Sequence, residues 1–377
     1  MGSGIMKKII WVVNVCTAVA TVLSFMAAWI SPEKIWWLAL FGLGFEILFI
    51  INILFISYWL IVGNKRFILS TVLVILGLGK IFGIVQINFP SEKENLLKEK
   101  GYIKVMSFNV RLFNLYNWFH NAETRNQIFE FLQKESPDII CIQEFYSSDA
   151  KDQLFKNDDS LRYYLKAAFS QIEYTYSFRK TDHWGIATFS KLPIVKTQST
   201  HFAKKGGNIF IASDIAVGND TIRVFNVHLE SVRFEWSDYK FIENLNKDDV
   251  KQDEIEGSLS ILRHLRQGFI RRAKQVEILH DSIDNSPFPV VLCGDFNDTP
   301  SSYSYSVLSD KLIDAFRKSG QGAGKTYAGP FPSFRIDYIF HDKKITSTAY
   351  CTFREKLSDH YPISCMIKLK KDVTQNK

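Results

Sequence analysis

Val290-Val291-Leu292-Cys293-Gly294-Asp295-Phe296-Asn297-Asp298-Thr299-Pro300 decides how the rest of the chain is read. A short apolar run is the pattern of a buried strand, and Gly294 marks its end. Asp295 and Asn297 follow, two residues apart, so on an extended backbone they point the same way. A carboxylate and an amide then face one spot, which suits a hard cation or an activated water. Thr299-Pro300 turns the chain away. An Asp after a strand is also a common turn or cap residue, so the reading depends on how the other strands end.

They end alike. Residues 103–110 alternate as a strand that delivers Asn109 and Arg111. Residues 122–136 have helical periodicity through Ile128, Phe129, Phe131 and Leu132, and Pro137 closes them. Ile139-Ile140-Cys141-Ile142 is a second buried strand, leading to Gln143-Glu144. Residues 174–178 and 185–190 read as paired strands. Residues 209–217 and 221–228 form a hairpin about Gly218-Asn219-Asp220, with His228 at its end. Residues 259–283 are helical and carry Arg263, Arg266, Arg271, Arg272 and Lys274. A strand over 334–340 contains Asp337, and a loop with Ser358-Asp359-His360 leads into the last strand. Nearly every strand thus ends in a metal- or phosphate-competent group, and ligands of layered sheets gather at strand ends.

Ser107-Phe108-Asn109-Val110, Pro137-Asp138-Ile139-Ile140-Cys141-Ile142-Gln143-Glu144, Asn226-Val227-His228-Leu229, Gly294-Asp295-Phe296-Asn297, Arg335-Ile336-Asp337-Tyr338 and Ser358-Asp359-His360-Tyr361-Pro362 resemble the successive motifs of the endonuclease/exonuclease/phosphatase superfamily. That superfamily includes deoxyribonuclease I, exonuclease III-like apurinic endonucleases, inositol polyphosphate 5-phosphatases and neutral sphingomyelinases. The resemblance runs in the family's order through a domain placed at residues 102–371. It implies an α/β fold, a four-layer α-β-β-α sandwich of two mixed sheets. It also implies hydrolysis of a phosphodiester by direct attack of water, dependent on Mg²⁺, with Mn²⁺ or Ca²⁺ as substitutes. By motif, Glu144 is the main metal ligand, with Asn109 beside it and Asp359 completing the site. Asp295 orients or deprotonates the water, and Asn297 holds a phosphate oxygen. His228 and His360 donate to the developing negative charge, and Asp337 keeps His360 protonated. His183 is a further candidate substrate contact, with a plain loop histidine as the simpler reading.

The first 90 residues lie outside that resemblance. Residues 9–30 carry no formal charge, 35–63 carry only Glu46, and 67–89 only Lys80. Each is long enough for a bilayer core, which takes ~20 residues, so three transmembrane helices are expected. Lys7, Lys8, Lys65 and Arg66 place the N-terminus and the second loop in the cytoplasm, and the domain after a 91–101 linker outside it. Trp11, Trp29, Trp36, Trp37 and Trp59 fall near the expected span ends. Glu46 and Lys80 are expected to face other spans and to pair. Met1-Gly2-Ser3-Gly4 reads as an expression leader, with Met6 as the natural start.

The formal charge is +7. The first 90 residues hold six cations against Glu33 and Glu46, which leaves only +3 for the other 287 residues. That is weak for a protein gripping long nucleic acid. Five cysteines without paired spacing form neither a disulfide framework nor a zinc set, with a Cys351–Cys365 bond left open. Phe234, Trp236, Tyr239 and Phe241 follow His228 in a stretch that suits either a membrane interface or a packed insertion. A membrane-anchored lipid phosphodiesterase of the phospholipase C or sphingomyelinase type is therefore expected, with no protein partner implied. An extracytoplasmic nuclease and an inactive membrane scaffold are the alternatives. Residues 372–377 are read as a tail.

Overall fold

The computed structural model describes residues 2–88, 101–150, 155–203, 206–233, 238, 253–329 and 334–370. The expected linker apart from Gly101, the four aromatic residues after Val232 and the C-terminal tail lie outside the described residues. The chain divides into two units. One contains Met1–Phe82, Glu230–Glu277 and Thr299–Val307; the other contains Gly83–Leu229, Ile278–Asp298 and Leu308–Lys377.

The second unit is built on two six-stranded sheets. In spatial order, one runs β13 (Ile345–Thr352), β14 (Ile363–Leu369), β2 (Ile103–Asn109), β3 (Ile139–Ser148), β5 (Asp182–Ser190) and β4 (Phe169–Phe178). The other runs β10 (Ile313–Asp314), β12 (Asp337–His341), β9 (Val290–Asp295), β8 (Asp220–His228), β7 (Ile209–Val217) and β6 (Ile194–His201). Strands β1 (Val85–Gln86) and β11 (Gly322–Ala323) pair separately. Among the described residues only β2–β3 and β8–β9 are parallel, so both sheets are mixed.

Alternation along the central strands places the core. Val105 and Cys141 from one sheet pack with Val224, Val291, Cys293 and Ile339 from the other. The opposite face of β2 and β3 presents Met106, Phe108, Ile140 and Ile142 to helix α5 (Thr124–Glu135) and helix α6 (Asn157–Leu165). Helix α5 stops at Ser136, which turns left-handed (φ 45°) just before Pro137. Between the sheets, Gln143 Nε2 donates to Asn226 Oδ1 at 2.6 Å, and Asn226 Nδ2 donates to Ala187 O at 2.9 Å. These buried polar groups satisfy one another and pin the sheets in one register.

Arg335, quoted above for its motif, has a structural task. Its guanidinium donates to Asp314 Oδ1 at 3.1 Å and to Oδ2, and lies between the rings of Phe316 and Tyr338. Asp314 also caps helix α9 (Ala315–Ser319) by accepting from Phe316 N. Removing one partner of such a pair strands the other charge. Asp314→Ala is expected to cost ~3–5 kcal/mol, read as a lower urea midpoint of the full chain. Cys351 and Cys365 are both free. The β13–β14 register sets Cys351 opposite Ser364, which turns Cys365 toward the core instead.

The first unit corrects the expected three spans. Helix α1 (Gly2–Met26) contains the one helix long and apolar enough to cross a membrane among the described residues, Gly4–Met26. The second apolar run breaks at Gly44 into α2 (Leu38–Leu43) and α3 (Phe45–Ile61). The third forms α4 (Phe67–Ile81), only 15 residues long, before the chain leaves for β1. A hydropathy window counts apolar residues whatever their backbone does, so it overstates helix length at such breaks. Trp59 is also not interfacial: it is fully buried, and its Nε1 donates to Asn14 Oδ1 at 2.9 Å. Asn14 Nδ2 donates to Ser70 Oγ at 2.8 Å, and Asn52 Nδ2 to Thr21 Oγ1 at 2.8 Å. These polar groups are inside, while Ile47, Leu54, Ile61 (86 % exposed), Ile75 and Leu76 are outside. The remaining helices of this unit are α7 (Asp253–Asp284), which runs on into the other unit, and α8 (Tyr303–Ser309).

Candidate active site

Strand register assembles the site. His228 at the end of β8 stands opposite Asp295 at the end of β9, and Asp295 stands opposite Asp337 at the start of β12. Three adjacent strands thus set an imidazole and two carboxylates in one row. The other sheet adds Asn109, the last residue of β2, and Glu144 in β3. The β3–β5 register shifts between Ile142 and Phe145, and Glu144 there has φ 49°. A bulge re-aims the side chain it carries, and here it directs Glu144 at Asn109.

The contacts close around Asp295, which is 1 % exposed. Asn109 Nδ2 donates to Asp295 Oδ2 at 3.0 Å and to Glu144 Oε1 at 3.1 Å, so one amide bridges two carboxylates. Asn297 reaches Asp295 by a route other than strand alternation. The strand ends at Asp295, and Asn297 is left-handed (φ 51°). Its backbone N–H donates to Asp295 Oδ1 at 2.8 Å, while its Nδ2 donates to Leu229 O at 3.0 Å and Asp295 Oδ2 at 3.3 Å. Gly294 makes this turn possible. It has φ 154°, and a Cβ there would lie 2.0 Å from Val227 O. Gly294→Ala combines a strained backbone with a clash against a neighbouring strand, so a loss of ~2–5 kcal/mol is expected in chemical denaturation.

His360 is buried against both carboxylates of the row. Its Nδ1 lies 3.0 Å from Asp337 Oδ2, and its Nε2 3.7 Å from Asp295 Oδ2. Burial alone would lower its pKa, but Asp337 and Asp295 outweigh burial and raise it well above the usual imidazole value. Asp295 is pushed up, chiefly by burial, against the lowering pull of His360. His228 Nε2 is buried with no hydrogen-bond partner among the described residues, 3.6 Å from Asp295 Oδ2 and 3.9 Å from Glu144 Oε1.

Asp359 precedes His360 in the chain and lies 3.4 Å from Arg111 Nε. Its neighbour Ser358 donates to Asn109 O at 2.8 Å and accepts from His360 N at 3.2 Å, which fastens the loop to β2. Thr326 holds Asp337 from behind, its Oγ1 accepting the N–H groups of Ile336 and Asp337 at 3.0 Å. No local pattern marks Thr326, because its task is defined by a partner eleven residues away. His183 has partners of its own: its ring meets Ser177 Oγ at 2.8 Å and Asp149 Oδ2 at 3.1 Å and stacks on Tyr174.

A model of the endonuclease/exonuclease/phosphatase family matches residues 106–360, well over half of the chain. The chain belongs to the endonuclease/exonuclease/phosphatase family. Solved structures of the family share its fold. One from Beutenbergia cavernae is 16 % identical, with a TM-score of 0.52 and 72 % of each chain covered. One from Bacteroides vulgatus is also 16 % identical with a TM-score of 0.52, covering 72 % of this chain and 100 % of that one. One from Bacteroides thetaiotaomicron is 17 % identical, with a TM-score of 0.50 and coverages of 72 % and 98 %. Residues 7–83 match a separate domain of unknown function, DUF8431. No curated protein matches the sequence.

Members of this family commonly use divalent metals, and the donor set suits one. Donor atoms of Asp295, Asp337 and His360 lie within 4.8 Å of one another. Within that trio His360 and Asp337 are already hydrogen-bonded to each other and Asp295 lies 3.7 Å from His360 Nε2, so it reads better as a proton-holding unit. Glu144 is different. Its side chain is a third exposed and it uses only one oxygen in hydrogen bonding among the described residues. A half-open carboxylate matches a cation that takes oxygen ligands and keeps several waters.

Proposed function

We propose that this protein is a membrane-bound, divalent-metal-dependent phosphoesterase that cleaves a phosphodiester in a phospholipid or sphingolipid headgroup by direct attack of water. The observation that carries the reaction is His228 Nε2, a buried nitrogen with no hydrogen-bond partner among the described residues, 3.6 Å from Asp295 and 3.9 Å from Glu144. An unpaired buried polar atom is costly, and a phosphoryl oxygen would satisfy it.

Glu144 and Asp359, with Asn109 at their side, would hold Mg²⁺, or Mn²⁺ or Ca²⁺ in its place. When bound, the cation supplies Lewis-acid neutralisation of the phosphoryl oxygens. The chain's own residues do the rest. Asp295 orients the water and takes its proton, and a raised pKa makes it a stronger base. Asn297 keeps Asp295 in one orientation and is placed to steady a phosphate oxygen. His360, held protonated by Asp337, donates from Nε2 as negative charge grows on the phosphoryl group, and His228 does the same. No side chain in the cluster is arranged as a covalent nucleophile.

The lipid assignment is supported by the first unit. Its helices turn hydrogen-bonded polar groups inward and apolar side chains outward, the reverse of a water-soluble bundle. Helices α3 and α4, at ~1.5 Å per residue, are short for a full crossing. Association through α1 with the shorter helices packed on it is therefore the arrangement proposed. The nuclease alternative leaned on the cations of α7, and most of those are taken. Arg271 and Arg272 bind Glu230, Lys274 lies 3.6 Å from Glu33, and Arg266 lies over Trp36.

Full-length protein with Mg²⁺, assayed on mixed phospholipid and sphingomyelin vesicles and on DNA and RNA, tests the proposal. Release of a phosphorylated headgroup that Asp295→Asn abolishes is the expected result. Efficient nucleic-acid cleavage with no lipid turnover would refute the lipid assignment.

A further inference from the structure

The N-terminal helices touch the chain immediately beyond the catalytic turn. Lys80, the single charge of α4, donates from Nζ to Ser301 O at 3.4 Å and lies over the Phe45 ring. A lysine in an apolar helix is costly unless it has a task. Ser301 follows Asn297 by four residues and is 2 % exposed. Gly42 of α2 packs against the same atom: a Cβ at Gly42 would sit 3.3 Å from Ser301 O and 3.0 Å from Ala27 Cβ. Two residues further on, the Tyr303 hydroxyl bonds Glu277 of α7.

The second crossing of the chain is held in a similar way. Glu230 stands two residues after His228. Its N–H donates to Gln275 Oε1 at 2.7 Å, its carbonyl accepts from Arg272 at 2.8 Å, and its carboxylate accepts from Arg271 at 2.8 Å. The donors are all on α7, and α7 is tied to the α1–α2 connection by Lys274–Glu33 and by Arg266 over Trp36. All of these contacts lie inside the first unit. The chain leaves that unit directly into Leu229, whose carbonyl accepts from Asn297, and into Asp298.

We infer that residues 7–83, besides meeting the membrane, position the catalytic turn: Lys80 and Gly42 fix Ser301, and through three intervening residues they fix the left-handed turn that presents Asn297 to Asp295. Lys80 is a positioning residue and touches no reacting atom. A turn whose polar groups must hold to a fraction of an ångström loses rate, rather than affinity, when its support loosens. Calling this turn catalytic rests on the function proposed above; the contacts that support it do not.

The test uses the full chain in lipid nanodiscs, with Lys80→Met and Gly42→Ala compared with Lys80→Arg. Methionine fills the lysine's place without its donor, and the alanine methyl presses on Ser301 O. Amide exchange at residues 295–302 is expected to rise ~5-fold or more in Lys80→Met and Gly42→Ala, with β2 and β3 unchanged. On bis(p-nitrophenyl) phosphate with Mg²⁺, kcat is expected to fall ~3–10-fold with KM held, and Lys80→Arg to restore both readouts. Faster exchange confined to 295–302 in a chain that hydrolyses no phosphodiester would sustain the positioning role and overturn the proposed function. Unchanged exchange at 295–302 in both variants, or a rise spread equally over β2 and β3, would overturn the inference.

Discussion

Asp295→Asn is expected to lower kcat by ~10²–10⁴-fold, the range associated with loss of a positioned acid–base group. Asparagine matches the carboxylate in shape but cannot take a proton from water. The side chain lies between two amides, Asn109 Nδ2 at 3.0 Å and Asn297 Nδ2 at 3.3 Å, so the substitution also sets an NH₂ group among donors. Despite that conflict, the fold is expected to survive. Asp295 has a raised pKa in the folded protein, so it holds its proton more tightly folded than unfolded. Its contribution to stability is therefore favourable below the ordinary carboxylate range and is lost as pH rises through the raised value. Ionised at neutral pH, it is a cost that the neutral amide removes. A thermal melt within a few degrees of wild type, together with the kinetic loss, identifies Asp295 as catalytic. A melt collapsed by tens of degrees would show that its main role is structural.

His360→Gln is expected to lower kcat by ~10²–10³-fold, as for loss of one charge-stabilising donor. Its partner gives the more diagnostic result. Asp337 is the largest influence raising the His360 pKa, and it fixes the ring through Nδ1. A raised histidine stabilises the fold fully below the ordinary imidazole range, and that stability is lost as pH rises through the raised value. Activity that needs His360 protonated should fail over the same alkaline window. Asp337→Asn removes the charge but keeps a hydrogen-bonding group, so the alkaline limb of kcat against pH is expected to move toward neutral pH. At pH 7 the loss is expected to be ~10–100-fold, typical of an orienting partner. If the limb stays where it is in wild type, a different group must control it.

Much of the candidate site is legible in the sequence, and the reason is local. Strand periodicity, the turn at Gly218-Asn219, the helix stop before Pro137 and polar residues at strand ends depend on neighbours a few positions apart. The order of the motifs added the family, and with it two mixed sheets. Three readings failed where a local pattern met a non-local constraint. Apolar runs long enough for three spans are broken by Gly44 and by the departure of the chain into β1. Trp59, placed at an interface by its position in a hydropathy window, is buried on Asn14 because the bundle folds over it. Asn297, placed beside Asp295 by strand alternation, reaches it through a left-handed turn after the strand has ended.

The residue types at the candidate site are therefore properties of the sequence itself: two histidines, four carboxylates and two amides on or next to short apolar strands. Their assembly belongs to the tertiary structure. The row His228–Asp295–Asp337 exists because β8, β9 and β12 pair in one register, and Asn109 joins Asp295 across 186 positions of chain. The bond from Lys80 to Ser301 spans 221 positions. Contacts at such separations leave no periodic trace, because the chain between them is free to vary so long as the register holds.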